Sequence, residues 1–354
     1  MPPKHRLRRC LRALRPTETR PSPALAGGDS SSSGGGDTVT RVEVRTVAPP
    51  VARFRWDDTL PEFFCTNTVV RIVTASGAEG VGGVSNYTNY DFDRYTAECT
   101  RHIAPILLGK DPLLREQLWQ ACESRVWPYP PQAQAALDCA LWDLAGKQAG
   151  MPVYKMLGGH AKTIPAYTST PMFESVAQYI KWIHWAVGQG FCAVKFHCWC
   201  VYEKDLELVR TARSEFPELT FMLDVENNYS FDEAKRMAAE LTALGGFAWL
   251  EAPLPDSDTR GYRRLCRESG VDIIPSGNWV RDLPAYRRCL EEECWDRGRC
   301  DILICGGLTP AKKYVCCHSP VVLATGYPNS TILQQSTHPW LNQSHANALH
   351  ALVL

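Results

Sequence analysis

From residue 163 onward, short β-prone runs alternate with amphipathic helical segments. The runs recur at intervals of roughly 20 to 30 residues, which is about the length of one strand-helix unit in a (β/α) barrel. A helix fits between each pair of runs, so the pattern favours a parallel α/β barrel over an antiparallel sheet. The predicted strands are residues 164–167, 193–197, 220–224, 248–251, 272–275, 301–304 and 321–324.

Polar side chains recur at the strand ends, at His197, Asp224, Glu251, Asn278 and Asp301, in steps of 27, 27, 27 and 23 residues. Steps of about one βα unit place side chains at the same height on successive strands, so they converge at the carboxyl-end mouth. Two carboxylates and an amide oxygen, from Asp224, Glu251 and Asn278, are hard ligands that suit Mg²⁺ rather than zinc or copper. Taken singly, each residue fits an ordinary polar strand end better; five in register favour a site.

Lys195 lies two residues before His197 and therefore faces the same side of its strand. A lysine beside an imidazole and near a divalent cation can have its pKa lowered enough to act as a general base. The sequence therefore predicts a base next to the metal site.

An α+β region precedes the barrel. A strand begins near Val39, and residues 66–74 are predicted as its hairpin partner, closed by a glycine-rich turn at residues 77–83. A phosphate-binding loop is disfavoured there, because no helix opens directly after it and no Lys-Ser/Thr follows. Helices are predicted at residues 91–106, 112–125 and 131–149. The predicted domains are therefore residues 37–160 and the barrel at residues 161–354.

Charge and cysteine usage disfavour several classes of protein. The 38 basic and 38 acidic residues cancel, so the overall basic footprint of a nucleic-acid binder is missing. No run of 18 apolar residues occurs, so no membrane helix is predicted. The 15 cysteines match no zinc or disulfide framework and favour a reduced intracellular protein.

Residues 1–36 form a basic tail that is rich in serine and glycine near its end. Its composition cannot bury enough apolar surface to offset the entropy of ordering, so the tail is predicted to be disordered. A secretory signal is disfavoured because arginines interrupt the leucines and no apolar segment follows. We expect a cytoplasmic protein, and the Arg-rich start is also compatible with an address to a mitochondrion or plastid.

Several motifs resemble one known group of enzymes over roughly residues 39–325. The most specific are AALDCALWDLAGK at residues 135–147 and PVYKMLGG at residues 152–159; the others are Gly190-Phe191 before Lys195, Leu223-Asp224, WLEAP at residues 249–253, and Asp301 followed by GGLT at residues 306–309. Together they are similar to the mandelate racemase and muconate lactonizing enzyme branch of the enolase superfamily.

The resemblance implies an α+β capping domain over a modified TIM-type (β/α) barrel, with Mg²⁺ as cofactor. It implies removal of the proton α to a carboxylate, which is too weakly acidic to be removed unless a metal neutralises the developing charge. The expected reaction is acid-sugar dehydration, in which a hydro-lyase eliminates water from a small carboxylate substrate. The alternatives are a racemase or epimerase, and a truncated paralogue without catalysis. We expect the folded chain to be a homo-oligomer.

The resemblance also assigns the metal ligands and the base. Asp224 and Glu251 match the first two metal ligands, and Asn278 stands where the third is usually Glu or Asp. An amide oxygen can still bind Mg²⁺, but one negative charge is lost and the affinity should fall. The Lys195-x-His197 pair replaces the usual Lys-x-Lys, so the base is Lys195, or His197 tuned by Lys195.

An opposite-face acid-base pair is implied as well. Asp301 matches an acid that pairs with a histidine on the next strand, but the expected interval from Asp301 ends near Tyr327, where no histidine stands. His318 comes early, and His338 follows about ten residues late; His338 is taken as the candidate partner of Asp301.

Two further expectations concern the loops and the C-terminus. Residues 54–64 stand where the family has a mobile specificity loop, and we expect Tyr87 and Tyr90 to border the same mouth. Residues 325–340 are predicted as an irregular insertion and residues 342–354 as the seventh helix, which leaves no eighth strand. We therefore expect a C-terminally truncated barrel with unpaired strand edges, low stability and little activity.

Overall fold

A three-stranded antiparallel sheet, in the order β1-β2-β3, begins the folded part of the chain. The structure is a computed structural model that describes residues 36–47, 67–85, 92–126, 129–159, 166–277, 282–317 and 321–324. The N-terminal elements are β1 (Val39–Val47), β2 (Asn67–Thr74), β3 (Glu79–Ser85), α1 (Phe92–Ile103), a 3₁₀ turn (Ala104–Leu107), α2 (Arg115–Val126), α3 (Pro131–Gln148) and α4 (Val153–Met156).

Strands and helices then alternate, and all the strand pairings in this part are parallel. Five strands pair in chain order, and the last two strands pair with each other. These elements are β4 (Thr168–Ser169), α5 (Val176–Gly188), β5 (Ala193–His197), α6 (Tyr202–Glu215), β6 (Thr220–Asp224), α7 (Phe231–Leu244), β7 (Phe247–Glu251), α8 (Thr259–Glu268), β8 (Asp272–Ile274), α9 (Leu283–Glu291), β9 (Gly298–Asp301), α10 (Leu308–Cys317) and β10 (Val321–Ala324). The predicted α+β capping domain and (β/α) barrel are confirmed.

Two barrel strands lie elsewhere than predicted. Within the described residues, the strand nearest to the predicted residues 164–167 is the short β4, which begins at Thr168. The strand predicted at residues 301–304 is β9, which ends at Asp301, and residues 302–306 form a turn. The apolar residues of that turn resemble a strand in the sequence because Ile302 is buried in the barrel core, while Leu303 packs against the core of the capping domain.

The glycine-rich segment predicted as a hairpin turn is mostly strand β3. The turn is confined to residues 75–78, and β3 pairs with β2 rather than only closing a hairpin of β1 and β2. A Cβ at Gly80 would collide with the backbone oxygen of Ala140, and a Cβ at Gly82 with that of Ala136. Glycine is weak in strands, but here it lets α3 lie directly against the sheet.

Helix α3 is shared by two hydrophobic cores. Leu137, Leu141 and Leu144 pack in the core of the capping domain, while Trp142 packs in the core of the barrel. From residue 133 to residue 146 nearly every side chain of the helix is buried. The capping domain and the barrel are therefore joined through α3 within one compact unit that starts at Asp37.

A buried hydrogen-bond network fastens α3 to the barrel. The Thr309 backbone N–H and hydroxyl donate to the two carboxylate oxygens of Asp138 at 2.8 and 2.6 Å, and the Trp142 indole N–H donates to the Thr309 hydroxyl at 2.9 Å. Gly307 has a φ of +122°, and a Cβ there would collide with the Asp138 carboxylate. Burial raises the pKa of Asp138 to about 6, against the opposing effect of the Thr309 hydrogen bonds.

This raised pKa predicts a pH dependence of stability. Protonated Asp138 is favoured in the folded state, so its contribution is fully present below its ordinary pKa of 3.8 and is lost as the pH rises through about 6. Asp138→Asn keeps the side chain neutral, so the unfolding free energy of the variant relative to wild type should rise by on the order of 3 kcal/mol between pH 3.5 and pH 7. Urea unfolding of both proteins across this range measures it. A pH-independent difference would contradict the assignment.

Several sequence-based expectations fall outside the described residues. These are the tail at residues 1–35, the loop at residues 54–64, Tyr87, Tyr90 and the segment from residue 325 to the end, so the expected missing strand stays a prediction. Across the described ranges, no helix combines the length and the apolar character that crossing a membrane requires. The cysteines whose side chains are described there are free.

Candidate active site at the mouth of the barrel

The equal sequence steps place the predicted residues side by side. His197 pairs with Asp224 in the register of β5 and β6, and Asp224 pairs with Glu251 in the register of β6 and β7. Each of the three is the last residue of its strand, where carboxyl ends meet at the mouth. The predicted convergence of these residues is confirmed.

Lys195 connects the two carboxylates at this mouth. Its Nζ lies 2.7 Å from Oδ2 of Asp224 and 3.1 Å from Oε1 of Glu251, and all three side chains are buried. Burial opposes the charge on Lys195, but the two carboxylates outweigh it and hold the pKa of Lys195 above its ordinary value. In turn, Lys195 and His197 outweigh burial and hold the pKa of Asp224 well below its ordinary value. The expected lowering of the lysine pKa concerns a site that also holds a divalent cation, and it stays a prediction.

Glu251 is held through both of its carboxylate oxygens. Oε2 accepts a hydrogen bond from the indole N–H of Trp249 at 3.0 Å. Oε1, which already faces Lys195, also lies 3.2 Å from Nε of Arg299. This oxygen thus contacts two cationic side chains, so the orientation of the carboxylate is fixed.

His197 is oriented by the neighbouring strand. Its Nδ1 lies 2.8 Å from the backbone oxygen of Thr170, which can only accept, so Nδ1 carries the proton. Its Nε2 is left facing the oxygens of Asp224 at 3.3 Å and Glu226 at 3.7 Å. Nε2 of the imidazole therefore contacts both of these carboxylates.

Glu226 belongs to the mouth and was missed by the sequence analysis. Ligand atoms of His197, Asp224 and Glu226 lie within 4.8 Å of one another, in a geometry that can hold a metal ion. Glu226 is 48% exposed and has a φ of +48°, a backbone conformation that is uncommon outside glycine. The charge of Asp224, with burial, raises the pKa of Glu226 to about 7. The only sequence signal is the Asp-x-Glu spacing after β6.

The remaining predicted residues are less fully described. Asp301 is buried at the end of β9, and its Oδ1 accepts the backbone N–H of Leu303 at 2.8 Å. Asn278 and His338 lie outside the described residues, as does His318. The third metal ligand and the partner of Asp301 therefore stay predictions.

The capping domain contacts the barrel on the side of the carboxyl ends. The Trp119 indole on α2 donates to the backbone oxygen of Gly306 in the turn after β9, and Glu116 forms ion pairs with Lys312 and Lys313 of α10 at 2.8 and 2.7 Å. A capped barrel with acidic and basic side chains at its carboxyl-end mouth is the architecture of a TIM-barrel enzyme, and this chain is of that class.

Comparison with known proteins identifies the family within this class. Residues 63–158 match the family described as mandelate racemase/muconate lactonizing enzyme, N-terminal domain, and residues 179–317 match the family described as enolase C-terminal domain-like. A solved structure from Pseudovibrio sp., assigned to the mandelate racemase/muconate lactonizing enzymes, has a TM-score of 0.76 and 36% identity, covering 80% of this chain and 76% of that chain. The chain belongs to the mandelate racemase and muconate lactonizing enzyme family of the enolase superfamily.

Two further relatives carry more specific names. A D-galactonate dehydratase family member from Oceanicola granulosus is 25% identical in an alignment of 326 positions that covers 77% of this chain and 77% of that protein. The structure of a racemase from Streptomyces coelicolor, solved with bound magnesium, is 25% identical with a TM-score of 0.72, covering 83% of this chain and 85% of that one. The names of these two relatives refer to the two kinds of reaction that the sequence analysis left open.

Proposed function

We propose that the chain is a Mg²⁺-dependent acid-sugar dehydratase. It removes the proton α to the substrate carboxylate and then eliminates the β-hydroxyl group as water. The observation that carries the proposal is the buried Lys195, held between Asp224 and Glu251 at the ends of adjacent strands. A base beside convergent hard-oxygen ligands is the arrangement that this chemistry needs.

The donor set fits a divalent cation. Asp224 and Glu251 are buried carboxylates whose oxygens both contact one ammonium group, so they already share a cation position. Asn278 is proposed as the third ligand, and Glu226 adds a nearby carboxylate. When bound, Mg²⁺ supplies positive charge that reduces the cost of removing a proton beside a carboxylate.

Lys195 is proposed as the base that accepts the α-proton. It must be neutral to do so, which requires that its pairing with Asp224 and Glu251 is weakened when a substrate and cation are present. The electrons of the broken C–H bond form the new double bond as the β-carbon–oxygen bond breaks, and the departing hydroxyl takes a proton from a general acid and leaves as water. The resulting enol tautomerises to a 2-keto acid. His197 is proposed to tune Lys195 from the same strand face.

A screen of the purified chain with Mg²⁺ against a library of aldonic and aldaric acids tests this function. Formation of a 2-keto acid from one or a few of them, dependent on Mg²⁺, is expected. Change of configuration at the α-carbon without loss of water would instead establish a racemase or epimerase. Failure to bind Mg²⁺ and to turn over any of the acids would favour a non-catalytic paralogue.

A further inference from the structure

One oxygen of Glu251 serves two cationic side chains. Oε1 lies 3.1 Å from Nζ of Lys195 and 3.2 Å from Nε of Arg299, while Oε2 accepts the Trp249 indole N–H. Any cation that binds Glu251 must therefore compete with protein donors that already surround both oxygens. Lys195 already has a proposed role in the reaction, but Arg299 has none.

Arg299 is built into the barrel wall. It lies in β9 two residues before Asp301 and therefore points to the same side of the strand as Asp301. Its side chain is only 12% exposed. Its positive charge also acts on Lys195 and on Tyr167, whose ring packs edge-on against Trp249. The guanidinium therefore sits among the groups that form the mouth.

We propose that Arg299 sets a weak affinity for the divalent cation at this site by competing with that cation for Glu251. This inference rests on the proposed metal site. A guanidinium stays protonated at any pH a protein meets, so its charge persists when a second cation approaches. In a buried site the repulsion is only partly screened, and the contact with Oε1 must also be given up or shared.

Neutral substitutions at Arg299 test this inference. Arg299→Gln and Arg299→Met remove the charge, and both should bind Mg²⁺ and Mn²⁺ at least about tenfold more tightly than the wild-type chain in calorimetric titration. Arg299→Lys keeps a positive charge and should stay close to wild type. Arg297→Gln is the matched control, because Arg297 lies just before β9 and pairs with Asp272 at 2.6 Å instead of with Glu251. It should leave the affinity unchanged.

The outcomes separate the two proposals. In one outcome the wild-type chain binds one divalent cation, and both neutral variants bind it equally tightly or more weakly. Arg299 would then position Glu251 instead of competing for it, and only the inference about Arg299 would be overturned. If neither the wild type nor the neutral variants bind a divalent cation, the proposed metal site fails as well. The shift of thermal midpoint on adding 10 mM Mg²⁺, roughly a saturating amount for a weak site, gives a second readout. A larger shift in the neutral variants than in wild type supports the proposal.

Discussion

Replacing Lys195 by alanine is expected to stop exchange of the substrate α-proton with solvent. A positioned base contributes roughly 10² to 10⁴-fold to such a step, so the exchange rate should fall by about 10³-fold or more. Lys195 is the group placed for this, because its Nζ stands between the carboxylates proposed to hold the cation. Proton NMR of an accepted substrate in D₂O measures the loss of the α-proton signal.

Two further variants distinguish loss of the base from loss of the ion pairs. Lys195→Arg keeps a positive charge next to Asp224 and Glu251 but cannot give up its proton, so it should be as inactive as alanine while remaining folded. His197→Asn should slow exchange less than either variant if Lys195 is the base. Continued exchange of the α-proton for deuterium in Lys195→Ala would assign proton removal to His197 or to the Asp301 side of the barrel.

The second large effect is expected from substitutions of the proposed metal ligands. Asp224→Asn and Glu251→Gln keep the shape of the side chains but each removes one negative charge from a pair of buried ligands. We expect each substitution to weaken Mg²⁺ binding by at least about a hundredfold, with turnover falling alongside. Calorimetric titration of Mg²⁺ into wild type and variants measures the affinity directly, without depending on the identity of the substrate.

Asp272→Asn is the matched control for the metal site. Asp272 is the first residue of β8, at the opposite end of the strand from the mouth, and it pairs with Arg297. Its substitution should leave Mg²⁺ binding unchanged. Equal binding in wild type, Asp224→Asn and Glu251→Gln would show that the cation binds elsewhere and would remove the basis for assigning these ligands.

The central part of the site follows from the sequence because parallel strands repeat in register. Steps of 27 residues from His197 to Asp224 and on to Glu251 correspond to direct neighbours across β5, β6 and β7. The polar ends of these strands can therefore be aligned by counting. Counting does not give the balance of charges around Lys195, where two carboxylates outweigh burial and hold its pKa above the ordinary value.

Residues outside the regular repeat were missed for local reasons. Glu226 reaches the mouth through a left-handed backbone conformation after β6, which no periodic pattern encodes. Arg299 was placed outside the strand because the apolar run that follows Asp301 resembles a strand more closely than Gly298–Asp301 does. Its contact with Glu251 crosses between strands that are far apart in sequence, so only the folded barrel brings the two together.

Helix α3 explains why one short segment was so informative. A helix on a protein surface has a solvent-facing side where many residue types are tolerated. Those positions contribute little to a recognisable sequence motif. Between residues 133 and 146, α3 packs against Gly80 and Gly82 of β3, the core of the capping domain and the core of the barrel. Hardly any position of this segment is exposed to solvent. The side chains of this segment therefore pack against several different elements. Helix α3, which joins the capping domain to the barrel, is thus also a segment whose amino-acid sequence is tightly constrained by packing.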